Sequence, residues 1–235
     1  MKFEQNLIQG KFLKRLNRFS VLVEVNGKEE KAHLANSGRL RELLVPGYKT
    51  MLMPVESASR KTKYDLCLVQ TRSRVWVSSD ARLPNILFHE AFLSRQLKPF
   101  LDFHEIQPEV VWGKSRLDFC LSSSNQLCFA EIKSITLVED RMGYFPDAPT
   151  ERGRKHLCEL LKIKKEGDRG AVVFIVQRED AGAVQPNDQA DPAFGRTLRN
   201  VFQQGVEVYA YKCQVNKQGV FIQQEIPVYL DEATF

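Results

Sequence analysis

The pattern of apolar and polar positions divides the chain into two parts. Residues 1–80 contain short apolar runs separated by turn-forming residues, which is typical of β-strands. These runs predict strands at Phe19–Val25, Glu30–Leu34, Tyr48–Pro54, Leu66–Gln70 and Val75–Val77. Asn26-Gly27, between the first two strands, is a typical two-residue hairpin turn. Short strands at this density predict a small β-barrel.

From Pro84 onward, helical patterns alternate with strands. A helix is predicted over Pro84–Phe100, with Ile86, Leu93 and Leu97 on its apolar face and Leu87 and Ala91 bordering that face. The later predicted elements are strands at 116–121, 127–133, Ala171–Gln177 and Val206–Lys212, and helices from Thr150 to Lys165 and from Asp191-Pro192 to Gly205. This order is typical of a mixed α/β sheet. The predicted domains are therefore 1–82 and 83–235.

One carboxylate falls on the apolar face of the first predicted helix. Glu90 stands four residues after Ile86. An unpaired buried charge costs too much free energy to persist, so Glu90 needs a partner. Lys133, an arginine or a metal ion could each fill that role, as could an ordinary structural ion pair.

Composition excludes several classes of protein. Hydrophobic residues make up 43% and charged residues 27%, as in ordinary soluble globular domains. No apolar run approaches the roughly 20 residues that span a bilayer, and the first residues lack the apolar core of a signal peptide. The five cysteines include no C-x-x-C pair. We expect a cytoplasmic protein with reduced thiols and no association with membranes.

The net charge of +5 is mild, but the first third of the chain is markedly basic. A basic surface of this kind favours a polyanionic partner, because neutralised phosphates supply most sequence-independent affinity for nucleic acids. The candidate phosphate contacts are Lys14, Arg15, Arg39, Arg41, Arg60, Lys61 and Lys63. A solvated basic face is the alternative. Tyr64 and Trp76 could stack on bases, although a core position is the commoner role for each.

Two acidic residues and a lysine come together in the predicted hairpin of strands 116–121 and 127–133. A turn centred on residues 122–126 places Asp118 opposite Glu131 or within one residue of it, and opposed side chains lie about 5 Å apart at Cβ. Glu131 and Lys133 share one face because side chains alternate along a strand. Two carboxylates so close repel each other unless a cation lies between them.

The start of the helix at Thr150 supplies further candidates. Thr150 is a suitable N-cap, and a helix N-terminus favours phosphate. Arg152 and Lys155 could therefore contact a DNA phosphate. His156 could act as a general acid or a phosphate contact, or it could simply pack at the edge of the core.

The Asp118, Glu131 and Lys133 spacing resembles the core of the PD-(D/E)-x-K nuclease fold. That resemblance implies a divalent cation, Mg²⁺ or Mn²⁺, held by Asp118 and Glu131. The carbonyl of Ile132 and a first-helix carboxylate, here Glu90, would be further ligands. Lys133 would orient or polarise the attacking water. A purely structural ion pair among the same residues remains the alternative.

Longer motifs resemble the sugar fermentation stimulation protein A (SfsA) family over nearly the whole chain. They are Glu131-Ile-Lys-Ser-Ile-Thr-Leu137, Gly143-Tyr-Phe-Pro-Asp-Ala148, Thr150-Glu-Arg-Gly153, Lys155-His-Leu157 and, upstream, His33-Leu-Ala-Asn-Ser-Gly38 with Pro46-Gly47. The resemblance implies an OB-like DNA-binding barrel followed by a restriction-endonuclease-like α/β domain. It also implies a non-specific DNA-binding protein linked to the regulation of sugar (maltose) metabolism.

The sequence is therefore consistent with two functions. The first is sequence-independent DNA binding with a nuclease site that uses Mg²⁺ or Mn²⁺. The second is a non-catalytic DNA-binding regulator that keeps a vestigial nuclease fold. A sugar-converting enzyme has little support, since the chain contains neither a glycine-rich cofactor loop nor a G-x-S-x-G motif. The sequence leaves open whether the chain is a monomer or a homodimer.

Overall fold

The computed structural model describes residues 1–56, 60–113 and 115–231. The N-terminal part is a closed five-stranded barrel with a sixth strand at its edge. Its strands are β1 (Ile8–Asn17), β2 (Ser20–Val25), β3 (Lys28–His33), β4 (Lys49–Pro54), β5 (Tyr64–Gln70) and β6 (Trp76–Ser78). The order is β3-β2-β1-β4-β5, and a parallel pairing of β3 with β5 closes the ring. This is the OB-like barrel that the sequence and its family resemblance predicted.

The second part is a mixed α/β domain. Its elements are α1 (Leu83–Leu93), a short 3₁₀ helix (Lys98–Phe100), β7 (Glu105–Trp112), β8 (Ser115–Ser122), β9 (Leu127–Ile135), β10 (Val138–Glu139), β11 (Met142–Phe145), α2 (Glu151–Lys165), β12 (Arg169–Val176), β13 (Ala183–Pro186), α3 (Pro192–Gln203), β14 (Glu207–Asn216) and β15 (Gly219–Ile226). The main sheet has the order β15-β14-β12-β9-β8-β7, with β9, β12 and β14 parallel. The short strands β10, β11 and β13 form a separate small sheet.

The helices cover the two faces of the main sheet. On one face, α1 residues such as Phe88 pack with Ile132 of β9. On the other face, Leu157 and Leu160 of α2 pack with Val172 of β12 and Leu198 of α3. The strand β12 is buried at seven of its eight positions, as expected for a central parallel strand.

The barrel and the α/β domain share a boundary that is both apolar and polar. Met51 and Leu68 of the barrel belong to the same buried cluster as α1. Thr136 Oγ1 donates to Glu42 Oε1 at 3.1 Å, and the Arg39 backbone N–H donates to Asp147 Oδ2 at 2.8 Å. These contacts attach the barrel loop of residues 36–42 to the end of β9 and to the loop that precedes α2. None of the helices within the described residues is long and apolar enough to cross a membrane.

The structure corrects the first predicted helix. Helix α1 ends at Leu93, well before Phe100, and Arg95 adopts a positive φ of 60° just after it. The predicted apolar face was also wrong, because Ile86 is 43% exposed and Leu93 is 61% exposed. The buried face is formed by Leu83, Leu87, Phe88, Ala91 and Phe92, and so includes Leu87 and Ala91, which were predicted to border the apolar face. Leu97 is buried because the chain turns back after the helix, which helical periodicity does not foresee.

Strand β1 was absent from the predicted elements. Its polar residues, including Lys11, Lys14 and Arg15, obscure the alternation that marks a strand. The hairpin at Asn26-Gly27, the helices α2 and α3, and the central strands β8, β9, β12 and β14 were predicted correctly, to within a few residues at their ends.

Candidate metal and nucleic-acid site

The hairpin of β8 and β9 brings the two predicted carboxylates together. Phe119 pairs with Ala130, so the next step of the same register places Asp118 opposite Glu131. Asp118 Oδ2 accepts the Ile132 backbone N–H at 2.8 Å across the two strands. The prediction of their pairing is therefore confirmed.

Glu131 is the most enclosed member of the group. Its Oε1 accepts from Lys133 Nζ at 2.6 Å and also contacts Nδ1 of His156 in the second turn of α2. Its Oε2 is buried and has no hydrogen-bond partner among the described residues. An unpartnered buried carboxylate oxygen is costly, and such an atom in a folded protein calls for an explanation such as an ion.

The two carboxylates respond differently to their surroundings. Burial, followed by the negative charge of Glu131, raises the pKa of Asp118. Burial also acts to raise the pKa of Glu131, but the hydrogen bond from His156 and the charge of Lys133 outweigh it, so that pKa is lowered. Glu131 is thus held ionised while Asp118 takes protons more readily. Two neighbouring carboxyls whose pKa values are shifted in opposite directions are typical of functional sites.

Asn85 is a member of this site that the sequence analysis missed. It lies near the start of α1, and its Nδ2 donates to Asp118 Oδ1 at 3.0 Å. Together with the Ile132 N–H at Oδ2, this contact fixes the orientation of the Asp118 carboxylate. Only the packing of α1 against β8 reveals this contact, because the two residues are 33 positions apart in sequence.

The structure does not bring Glu90 to the group. Its carboxylate pairs with the Met1 ammonium at 2.7 Å and its side chain is half exposed. It faces outward because the apolar face of α1 lies at other positions than predicted. The observed partner of Glu90 is therefore the Met1 ammonium, not Lys133.

The residues present fit a divalent cation that needs only one or two protein carboxylates as ligands. Asp118 and Glu131 supply carboxylate oxygens, one of which is buried without a partner. Within residues 1–56, 60–113 and 115–231, no three His, Cys, Asp or Glu side chains form a complete cation cage. Mg²⁺ tolerates this arrangement, because it keeps several waters and commonly binds through one or two carboxylates together with substrate phosphates.

The N-terminal turns of α2 lie beside the carboxylates because His156 reaches Glu131. Thr150 caps the helix by accepting the Gly153 N–H at 3.0 Å, as predicted. Arg152 and Lys155 are exposed at this end. Arg152 Nε points to His156 Nε2 at 3.5 Å, which places its guanidinium next to the site.

Arg15 has a different role from the predicted phosphate contact. All five of its N–H donors bind backbone carbonyls, namely those of Asn17, Arg18, Asn36, Gly38 and Arg39 at 2.7–3.2 Å. Burial lowers the pKa of this guanidinium. Its donors are occupied within the barrel, so the residue connects segments of the fold instead of facing a ligand.

The other predicted cations of the barrel are spread over its surface. Arg60 pairs with Asp65, and Lys63 lies 3.6 Å from Glu30 while remaining exposed. Lys14, Arg39, Arg41 and Lys61 are likewise exposed towards solvent. Because β3 pairs in parallel with β5, with Ala32 opposite Tyr64, Lys63 lies beside Glu30 of β3, at the opposite end of that strand from the loop that carries Arg39 and Arg41.

Comparisons with known proteins agree over both domains. Residues 13–79 match the SfsA N-terminal OB domain, and residues 82–219 match the sugar fermentation stimulation protein RE domain. A sugar fermentation stimulation protein homolog of Acetivibrio thermocellus is 46% identical over 97% of this chain and 99% of its own length. A homolog of Caldanaerobacter subterraneus is 41% identical over 98% of this chain and 100% of its own length.

One solved structure has the same fold. Pyrococcus furiosus SfsA in complex with Ca²⁺ superposes with a TM-score of 0.89 and 30% sequence identity, covering 97% of this chain and 98% of that one. The two matched domains, the full-length relatives and the shared architecture lead to one conclusion. The chain belongs to the sugar fermentation stimulation protein (SfsA) family.

Proposed function

We propose that this protein binds DNA without sequence preference and cleaves its phosphodiester bonds with the help of Mg²⁺ or Mn²⁺. The observation that carries the proposal is the buried, unpartnered Oε2 of Glu131 next to the Asp118 carboxylate. A cation bound there would resolve both the unpartnered oxygen and the repulsion between two close carboxylates. The relative from Pyrococcus furiosus was solved in complex with Ca²⁺, another cation that prefers oxygen ligands.

Each residue of the group has a definite role in this proposal. Asp118 and the free oxygen of Glu131 would hold the cation, and the Ile132 carbonyl is the proposed further ligand. Once bound, the cation lowers the pKa of a water and neutralises phosphate oxygens. His156 and Asn85 hold the two carboxylates in orientation. Lys133, whose ammonium lies at the Glu131 carboxylate, stabilises negative charge that develops on the phosphate.

The proposed DNA path joins the two domains. Arg152 and Lys155 lie at the start of α2 beside the carboxylates, and the loop with Arg39 and Arg41 is attached to the end of β9. Binding is thus distributed over many cations, which is typical of sequence-independent contact with the phosphate backbone. Cytoplasmic DNA is the substrate that we propose.

The first test compares cleavage and binding in one series of variants. Wild type is expected to cleave plasmid and labelled oligonucleotides only when Mn²⁺ or Mg²⁺ is added. Lys133→Ala is expected to lower cleavage by roughly 100-fold or more, because removing a transition-state charge contact typically has that effect. Its DNA affinity should stay within about twofold, since phosphate binding is shared by many residues. Lys217→Ala removes an exposed lysine from a turn and serves as the matched control.

Calorimetric titration with Mn²⁺ then tests the cation itself. Wild type should show saturable binding, which Glu131→Gln should weaken strongly because the amide supplies less charge to the cation. Equal binding by both proteins would contradict the assigned ligand.

The alternative function is a DNA-binding regulator without catalysis. It is favoured by the way Lys133 and His156 already occupy one oxygen of Glu131, and by the lack of a group of three His, Cys, Asp or Glu side chains that could hold a metal ion among the described residues. On this reading, wild type leaves DNA intact with either metal, and Asp118→Asn binds DNA as tightly as wild type. The cleavage assay separates the two functions.

A further inference from the structure

The tip of the β1–β2 hairpin exposes an aromatic ring. Phe19 lies in the two-residue turn between the strands and is 48% exposed, whereas Phe12 of β1 is fully buried in the barrel. The Arg18 guanidinium lies over one face of the Phe19 ring, 5.3 Å from its centroid. Single exposed apolar residues are common, so exposure by itself does not indicate a function for Phe19.

The turn is held by an unusual number of hydrogen bonds. Arg15 Nη2 donates to the Arg18 carbonyl at 2.8 Å and its Nε donates to the Asn17 carbonyl at 3.2 Å. The Phe19 N–H donates to Asn17 Oδ1, and the Phe19 carbonyl accepts the Leu34 N–H, both at 2.9 Å. The ring is therefore presented on a preorganised turn, which reduces the entropy cost of binding.

The same guanidinium joins this turn to the basic loop that follows β3. Arg15 Nη1 donates to the carbonyls of Gly38 and Arg39, at 2.7 and 3.0 Å. The Arg39 side chain is exposed, as are those of Arg18 and Lys14 on the hairpin. An exposed aromatic ring thus lies among cations on a surface that Arg15 holds together.

We propose that Phe19, with Arg18 over its other face, is a stacking subsite for an unpaired base of a single-stranded nucleic acid. Lys14 and Arg39 would hold the adjoining phosphates. This subsite deepens the nucleic-acid binding proposed above and rests on it. An unpaired base exposes its face to a protein ring without the cost of unstacking a duplex, and every base offers a π-face, so such contacts tolerate any sequence.

The inference is tested by fluorescence anisotropy with a labelled single strand and with the blunt duplex of the same sequence. Phe19→Ala is expected to weaken single-strand binding by roughly 5- to 100-fold, the usual effect of removing one stacking side chain. Its duplex affinity should stay within about twofold, since phosphate contacts dominate there. Phe19→Trp keeps a stacking face and should bind the single strand at least as well as wild type.

Two controls make the result specific. Phe202→Ala removes a phenylalanine of similar exposure, 49%, from the end of α3 in the other domain, and should bind like wild type. The dependence of affinity on salt should be the same for Phe19→Ala and wild type, because stacking releases no counterions. Arg39→Ala should instead reduce that dependence.

The possible outcomes separate the two proposals. If wild type binds neither oligonucleotide, nucleic-acid binding is wrong and the stacking subsite with it. If wild type binds but Phe19→Ala retains single-strand affinity, or loses single-strand and duplex affinity equally, only the stacking subsite is overturned. Thermal melting of Phe19→Ala at the wild-type temperature confirms that the variant is folded.

Discussion

At the scale of single residues, the environment of Glu131 is unusually asymmetric. One carboxylate oxygen receives both Lys133 and His156, while the other is buried without a partner among the described residues. The His156 ring is itself buried, with Arg152 at its second nitrogen. Because both sides of the imidazole are engaged, His156 fixes the direction in which the free oxygen of Glu131 points.

This geometry predicts that His156 contributes to stability by holding Glu131. His156→Ala is expected to lower the free energy of unfolding by about 1–3 kcal/mol, because the buried Glu131 carboxylate loses one of its two donors and the imidazole leaves a gap. His156→Asn restores an N–H donor on a shorter side chain and should recover part of the loss. The comparison is made by urea unfolding, with His104→Ala as the control because His104 is exposed. Equal decreases in the free energy of unfolding for His156→Ala and His104→Ala would contradict the role of His156 in holding Glu131.

At the scale of elements, α2 connects the sheet to the rest of the site. Its start is held by its own cap at Thr150 and by Asp191, the N-cap of α3. Asp191 accepts the N–H groups of Thr150 and Phe194 and pairs with Arg154 at 2.9 Å. The two helix starts are therefore joined through one carboxylate.

The cap at Thr150 is a separate prediction. Thr150→Ala should lower the free energy of unfolding by about 1 kcal/mol, since the Gly153 N–H loses its acceptor. Thr150→Ser keeps the hydroxyl, so its free energy of unfolding should differ from that of wild type by only a few tenths of a kcal/mol. Both are measured from urea transition midpoints. A Thr150→Ala protein as stable as wild type would show that another group satisfies the helix start.

At the scale of the whole molecule, the boundary between barrel and α/β domain is partly acidic. Burial raises the pKa of the Glu42 carboxyl, and the negative charge of Asp147 raises it further. The hydrogen bond from Thr136 acts to lower this pKa but does not outweigh the increase. The protonated carboxyl is therefore favoured in the folded protein. Its stabilising contribution is fully present below the unfolded pKa of 4.5 and is lost as the pH rises through the higher folded value.

Replacing this carboxyl should change how stability depends on pH. Glu42→Gln removes the charge and keeps an acceptor for Thr136, so the melting temperature at pH 7.5 should rise by about 1–3 °C relative to wild type. At pH 4.5 the difference should be smaller. Glu179→Gln is the control because Glu179 is exposed. A melting temperature that falls at pH 7.5, or changes equally at both pH values, would contradict the prediction.

The sequence alone determined the features that depend on near neighbours. Alternation along β8 and β9 brought Asp118, Glu131 and Lys133 to one place, because a short turn leaves few possible registers. Thr150 and Asp191 marked the starts of α2 and α3, because capping involves residues three positions apart. In β1 the charged residues interrupt the apolar alternation, and this strand was not predicted from the sequence.

Only the tertiary structure decided which distant groups meet. Arg15 binds the carbonyls of a loop more than twenty residues away instead of a phosphate, and Glu90 pairs with the chain start instead of the carboxylate site. His156 reaches Glu131 because α2 packs across β9, and Phe19 stays exposed because the barrel closes without it. The same physical reason applies to these four residues. Local patterns fix which way a side chain faces, but its partner is set by packing between segments that lie far apart in the chain.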